Sequence, residues 1–221
     1  MAIELYATAG SVEKDLRNHV VIVVDVLRAT SVMVTAVEHG VRFIIPVSEV
    51  EEAVDMARQL GNQRVLLCGE RQAKPIPEFH LSNSPLEYTP EMVADRVMVM
   101  TTTNGTRAIL RAKDARVLLL GSFLNASAVA RVARENGENI AIVCAGTNGK
   151  FSLDDILCSG AIISRLLELD GNQYLDDLAR TALTLYDSYK DDLRASLAGS
   201  AHVERLRSLG MEDDIRFCLQ E

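Results

Sequence analysis

The feature that most constrains this chain is His19-Val-Val-Ile-Val-Val-Asp25, five consecutive β-branched residues running straight into a carboxylate. Such side chains are stiff at χ1 and pack well on a pleated surface. With no polar alternation, the run reads as a strand buried on both faces, as in a parallel sheet covered by helices. Parallel neighbours need crossover connections, so helices should follow. Helical spacing does follow over Thr30 to His39, and Gly40 offers a C-terminal cap.

The rhythm continues. Phe43-Ile-Ile-Pro-Val47 reads as a strand. Ser48-Glu-Val-Glu51 has the form of a capping box, and Val50, Ala53, Val54, Ala57 and Leu60 fall at helical spacing behind it. Arg64 to Cys68 reads as a strand ending at Gly69-Glu70-Arg71. Residues 72–95 hold four of the five prolines and read as a long loop, of a length that is often functional. Alternation then resumes, with strands at Val97–Met100, Val117–Leu120 and Ile140–Cys144. Helices are expected over Arg107 to Ala112 and from Asn125 to about Glu135. After Ser152 the pattern is helical, over about Asp154 to Leu169, Tyr174 to Leu193 and His202 to Leu209. The second of these places Leu175, Leu178, Ala182, Tyr186 and Tyr189 on one face.

Two stretches resemble each other. Asp25 and Thr102 stand 77 residues apart, as do Gly69 and Gly146. An internal duplication relating residues 20–71 to 97–148 is therefore an expectation. The whole chain, residues 1–221, reads as one three-layer α/β/α domain with a mainly parallel sheet and helical C-terminal additions. Those additions are read as packing elements or as a homodimer surface.

Hydrophobic residues make up 48% of the chain, enough for a large core, and no stretch approaches the roughly 20 apolar residues of a membrane helix. Met1 to Ser11 does not read as a secretion signal, so a cytoplasmic location and no membrane partner are expected. Cys68, Cys144, Cys158 and Cys218 are widely spaced and read as buried free thiols. The net charge of −8 argues against nucleic acid as a partner. It also means that an anionic substrate would need clustered arginine or a metal.

Ligands of open α/β sheets gather at the carboxyl ends of the strands. There the chain delivers Asp25 with Arg28, Glu70 with Arg71, Thr101 to Thr106 with Arg107, and Gly146 to Lys150 followed by Asp154 and Asp155. Carboxylates that can hold Mg²⁺, arginines that grip phosphate, and a Thr-Asn-Gly-Thr turn at a helix start suit phosphoryl chemistry. Duller readings stand beside these. Asp25 could cap the next helix, Glu70 could pair with a surface charge, and Ser152-Leu-Asp-Asp155 is itself a capping-box pattern. His80 and His202 read as structural or solvated. Gly146-Thr-Asn-Gly-Lys150 lacks P-loop spacing, and neither a nucleophile elbow nor the paired aspartates of haloacid-type phosphatases occurs.

Asp25-Val-Leu-Arg-Ala-Thr30, Gly69-Glu-Arg71, Asn83-Ser-Pro85, Thr102-Thr-Asn-Gly-Thr-Arg107 and Leu153-Asp-Asp155 occur in this order, with Ala201-His202, Leu206, Gly210 and Asp214-Ile215 near the end. The set resembles the signature of the 2-phosphosulfolactate phosphatase family, the ComB-like enzymes of coenzyme M biosynthesis. The chain departs from that family's pattern at Glu78-Phe79-His80, before Asn-Ser-Pro, and mildly at Asp154. The resemblance implies a Mg²⁺-dependent hydrolase that turns 2-phospho-3-sulfolactate, or a similar small anionic phosphorylated acid, into the hydroxy acid and phosphate. Chemistry and motif position then assign roles. Asp25, Arg28 and Arg107 would be catalytic. Arg71, Asn83, Ser84, Thr102, Asn104, Gly105 and Thr106 would bind substrate, and Asp25, Glu70 and Asp155 would hold the metal. A non-catalytic binder of an anionic metabolite and another Mg²⁺-dependent enzyme on the same scaffold are the alternatives.

Overall fold

The structure, a computed structural model, describes residues 2–61, 64–171 and 173–221. In chain order the first elements are β1 (Ala2–Tyr6), β2 (Val20–Val24), α1 (Ala29–Glu38), β3 (Phe43–Pro46), α2 (Val50–Gln59), β4 (Val65–Arg71) and β5 (Lys74–Pro75). The short α3 (Pro90–Val93), β6 (Val97–Thr101), α4 (Gly105–Arg111), β7 (Val117–Gly121), α5 (Ala126–Asn136) and β8 (Asn139–Cys144) come next. The C-terminal part comprises α6 (Leu153–Leu169), β9 (Tyr174–Leu175), α7 (Asp177–Tyr189), α8 (Leu193–Ser196), α9 (Ala201–Ser208) and α10 (Glu212–Cys218).

The strands form two sheets, ordered β7-β2-β8-β1-β9 and β3-β6-β4-β5, and the pairings are parallel except β4–β5. Side chains alternate between faces along a strand, and this sorts the core into layers. Val20, Ile22 and Val24 of β2 pack with α5, α6 and α7. Val21 and Val23 face the opposite way, toward Val32, Met33 and Ala36 of α1 and Ala108 and Ile109 of α4. The same middle layer meets Leu66, Cys68, Met98 and Met100 of the second sheet. Ala53 and Ala57 of α2 cover that sheet's outer face through Val47, Val65 and Val99. The five-stranded sheet thus has the expected α/β/α layering, and the second sheet shares the α1/α4 layer. Burial of one Val or Ile side chain stabilises by roughly 1.5–3 kcal/mol, so the fully covered β2 is a major anchor.

The sheets are interleaved. β2 lies between β7 and β8, whereas β6 lies between β3 and β4. Val20 pairs with both Val117 and Ile140, and Val97, 77 residues on, pairs with both Phe43 and Val65. Residues 20–71 and 97–148 therefore share a connectivity and exchange their leading strands.

Several local expectations are corrected. The residues expected to start a helix at Tyr174 form β9, where Tyr174 and Leu175 pair with Ala2 and Ile3. Asp176 then caps α7, its Oδ1 accepting from the Ala179 N–H at 2.7 Å, and α7 ends at Tyr189 rather than Leu193. The Ser48 side chain does not cap α2; instead its N–H donates to the Glu52 carboxylate at 3.0 Å. β1 and α10 escaped the sequence reading altogether, and the 72–95 loop carries β5 and α3. All four cysteines are buried free thiols. No helix among the described residues is long and apolar enough to cross a membrane.

Candidate active site

Two strand-to-helix corners meet at the carboxyl ends of the two sheets. After β2, the Asp25 N–H donates to Thr30 Oγ1 at 3.1 Å, and Asp25 Oδ1 accepts from the Ala29 N–H at 3.3 Å. After β6, the Thr102 N–H donates to Thr106 Oγ1 at 3.1 Å, and Thr102 Oγ1 accepts from the Thr106 N–H at 3.0 Å. Each corner thus caps its own helix from a strand-end side chain. The corners are in contact at Gly105, where an added Cβ would lie 2.6 Å from Asp25 Oδ2 and 2.6 Å from Ala29 Cβ. Glycine is required here by close approach.

Two carboxylates brace the corners, Glu70 from the end of β4 and Asp155 from the first turn of α6. Glu70 Oε1 accepts from the Thr103 N–H at 2.6 Å, and Oε2 accepts from the Ala73 N–H at 2.6 Å and Thr103 Oγ1 at 3.2 Å. Asp155 Oδ1 accepts from the Val26 N–H and Oδ2 from the Gly146 N–H, both at 3.0 Å. Val26 and Thr103 are themselves 77 residues apart. The capping-box reading of Asp155 is therefore not realised; Ser152 Oγ turns to Asp154 instead.

Between the corners lies a narrow pocket of about 40 Å³, with room for a few water-sized groups. Asp25, Arg28, Glu70, Asn83 and Asn104 line it, together with Thr103, Thr147, Asn148, His202 and Arg205. It adjoins a wider groove of about 460 Å³ that shares Thr147, Asn148 and His202 and includes Lys150 and Phe151. Burial pushes the Asp25 carboxyl up to about 7, against the pull of the neighbouring His202 and the Ala29 N–H, while the Asp154 and Glu70 charges raise it further. Burial also pushes Asp155 well above the carboxylate range, with Asp154 and Asp25 adding to the effect over the two backbone N–H bonds.

The other expected site residues do not line the pocket. Arg71 follows Glu70 in β4, so its side chain leaves on the opposite face. There it donates to the Ser48 carbonyl at 2.9 Å and Thr101 Oγ1 at 2.8 Å. Arg107 lies two residues after Gly105, about 200° around the helix; it is exposed and reaches Glu49 at 3.4 Å. Thr102, Gly105 and Thr106 shape the corner from within. Ser84 Oγ donates to Asp214 Oδ1 at 2.6 Å. His80 is exposed, its Nδ1 accepting from the Leu67 N–H at 2.9 Å on the edge of β4.

His202 and Arg205 of α9 complete the pocket, and the sequence reading had not placed either there. His202 Nε2 donates to the Leu27 carbonyl at 2.9 Å, and Nδ1 is buried without a partner among the described residues. Arg205 Nη2 donates to the Gln72 carbonyl at 2.9 Å. Asn83 is 5% exposed, and its Oδ1 also lacks a partner among the described residues.

Among the described residues, no group of three or more His, Cys, Asp or Glu side chains is spaced to hold a metal ion. Asp155 does not line the pocket, so it does not join Asp25 and Glu70 in a three-carboxylate cage. Mg²⁺ keeps several waters and takes one or two carboxylates. Asp25 and Glu70 in one pocket, with the orphaned Asn83 oxygen beside them, suit a hydrated Mg²⁺.

The 2-phosphosulpholactate phosphatase family profile matches residues 6–221. A probable 2-phosphosulfolactate phosphatase of Caldanaerobacter subterraneus subsp. tengcongensis is 45% identical over 220 residues, which span 99% of this chain and 91% of the relative. One of the same name from Clostridium beijerinckii is 39% identical, covering 100% of this chain and 93% of the relative. A third, from Symbiobacterium thermophilum, is 42% identical, covering 94% and 89%. Matched over residues 6–221, the chain belongs to the 2-phosphosulpholactate phosphatase family.

Proposed function

We propose that this chain is a Mg²⁺-dependent phosphatase that hydrolyses 2-phospho-3-sulfolactate, or a similar small phosphorylated acid, to the hydroxy acid and phosphate. The observation that carries this reading is the pocket itself. Two carboxylates, Asp25 and Glu70, share it with two arginines, Arg28 and Arg205, at the meeting point of two helix-capping corners. The names carried by the relatives supply the substrate class.

Arg28 and Arg205 bind and orient the anionic groups of the substrate, because guanidinium offers paired donors to phosphate and carboxylate. The narrow pocket accepts the phosphoryl group, and the adjoining groove accepts the rest of the acid. Asn83 Oδ1 accepts a hydrogen bond from a water or hydroxyl held there. Asp25 and Glu70 would hold Mg²⁺, which when bound polarises phosphoryl oxygens and makes water a better nucleophile. Among the described residues Asp25 Oδ2 has no hydrogen-bond donor, which leaves it free to receive a proton or to act as nucleophile. Burial of the pocket excludes bulk water and strengthens each of these interactions.

The test is phosphate release from a panel of phosphorylated acids, with MgCl₂ and with chelator. Release that needs Mg²⁺ and is fastest on 2-phospho-3-sulfolactate is expected. Absence of release from every ester would favour a non-catalytic anion binder, and activity undiminished by chelator would remove the metal. Identification of the products separates hydrolysis from isomerisation or elimination.

A further inference from the structure

We infer that Asp214 is a positioning residue for the reaction, acting through Arg28; this rests on the phosphatase reading above. Arg28 is 3% exposed and lines the pocket, yet its charge is not free. Its Nη1 donates to Asp214 Oδ2 at 2.5 Å. The other oxygen of Asp214 accepts from Ser84 Oγ at 2.6 Å. Asp214 is itself 5% exposed and lies in the first turn of α10, far along the chain from both partners. One buried carboxylate thus joins the Asp25–Arg28 corner, the Asn83-Ser84-Pro85 loop and the C-terminal helix.

This geometry does two things. A guanidinium has five N–H donors in a planar fork. Among the described residues, its bond to a protein acceptor is the one to Asp214, so this contact sets the plane of the fork and leaves the other donors for the pocket. The Ser84 bond holds the residue after Asn83, whose side chain lines the same pocket. Loss of Asp214 would therefore let both Arg28 and Asn83 drift, and a misplacement of about 1 Å in a substrate-orienting group is worth about 10²-fold in rate.

The experiment uses Asp214→Asn, which keeps the shape and an acceptor for Ser84 but removes the charge, and Asp214→Glu, which keeps the charge one methylene further out. Steady-state kinetics on the best ester of the panel are measured alongside binding of inorganic phosphate and a thermal melt. The expected result is a folded Asp214→Asn protein with kcat lowered about 10- to 100-fold and KM changed far less, with partial recovery in Asp214→Glu. In an Arg28→Ala background, Asp214→Asn should add little further loss, because the two act as one unit. Wild-type kcat in Asp214→Asn, or full additivity with Arg28→Ala, would overturn the inference. If Asp214→Asn does not fold, the same readings on Asp214→Glu and Ser84→Ala decide it, and wild-type kcat in both counts against. A wild-type protein that binds phosphate but releases none from any ester defeats the phosphatase reading instead. In that case, unaltered phosphate affinity in the Asp214 variants separately defeats the positioning role.

Discussion

The corner at Asp25 and the corner at Thr102 are built alike and differ in one respect that matters. Both follow a central parallel strand, both cap a helix four residues on, and both bond a threonine hydroxyl to the strand-end N–H. A carboxylate distant in the chain braces each, Asp155 at Val26 and Glu70 at Thr103. One corner carries a buried carboxyl group and the other a neutral hydroxyl. Capping a helix requires only an oxygen acceptor, and threonine supplies that without desolvating a charge. The carboxylate at Asp25 has no structural necessity, so its cost in burial points to chemistry.

The comparison can be broken most directly at Asp25. Asp25→Asn keeps an acceptor for Ala29 and should lower kcat by about 10³-fold or more, the upper end for losing one electrostatic group; near-normal turnover of the folded variant would remove Asp25 from the mechanism. Next in size is the response to Mg²⁺. Metal at about 100 times its Kd should stabilise the wild type by about 2.7 kcal/mol. A melt with and without MgCl₂ should show this shift vanish in Asp25→Asn and persist in Thr102→Val.

Gly105→Ala tests the contact between the corners. Its Cβ would meet both Asp25 Oδ2 and Ala29 Cβ, so a loss of about 1–3 kcal/mol in urea unfolding is expected, with reduced activity. Unchanged stability would mean the corners are not in contact. Thr102→Val removes only the cap and should cost about 1 kcal/mol; a loss of activity as large as that of Asp25→Asn would show that the corners are not divided into chemical and structural roles. Smallest is Arg107→Ala on the exposed side of α4, which should leave kcat/KM within about twofold and stability within about 0.5 kcal/mol.

The legible parts of the site were those set by local sequence. Asp25 and Glu70 announce themselves as carboxylates at the ends of apolar runs, and Asn104 lies in a small-residue turn before a helix. Period-2 alternation in Ala2-Ile-Glu-Leu-Tyr6 and the acidic first turn at Glu212-Asp-Asp214 were also readable signals, and both elements were missed. Arg71 and Arg107 lie outside the pocket for a different reason. Each lies beside a pocket residue in the chain, but strand alternation and helical phase turn it away. Proximity in sequence is a poor guide to which face a side chain leaves.

The sequence by itself determined that this chain makes parallel strands covered by helices, because β-branched runs without alternation can be buried in no cheaper way. It also placed the acidic and amide groups at strand ends. Only the tertiary structure decided that the strands would divide into two interleaved sheets. The choice of pairing partner depends on packing across the α1/α4 layer rather than on any strand's own residues. Only the tertiary structure brought His202, Arg205 and Asp214 to the pocket, since α9 and α10 dock through contacts more than a hundred residues away in the chain. A helix's amphipathic pattern says that it will bury one face; the surface it meets is set by the rest of the fold.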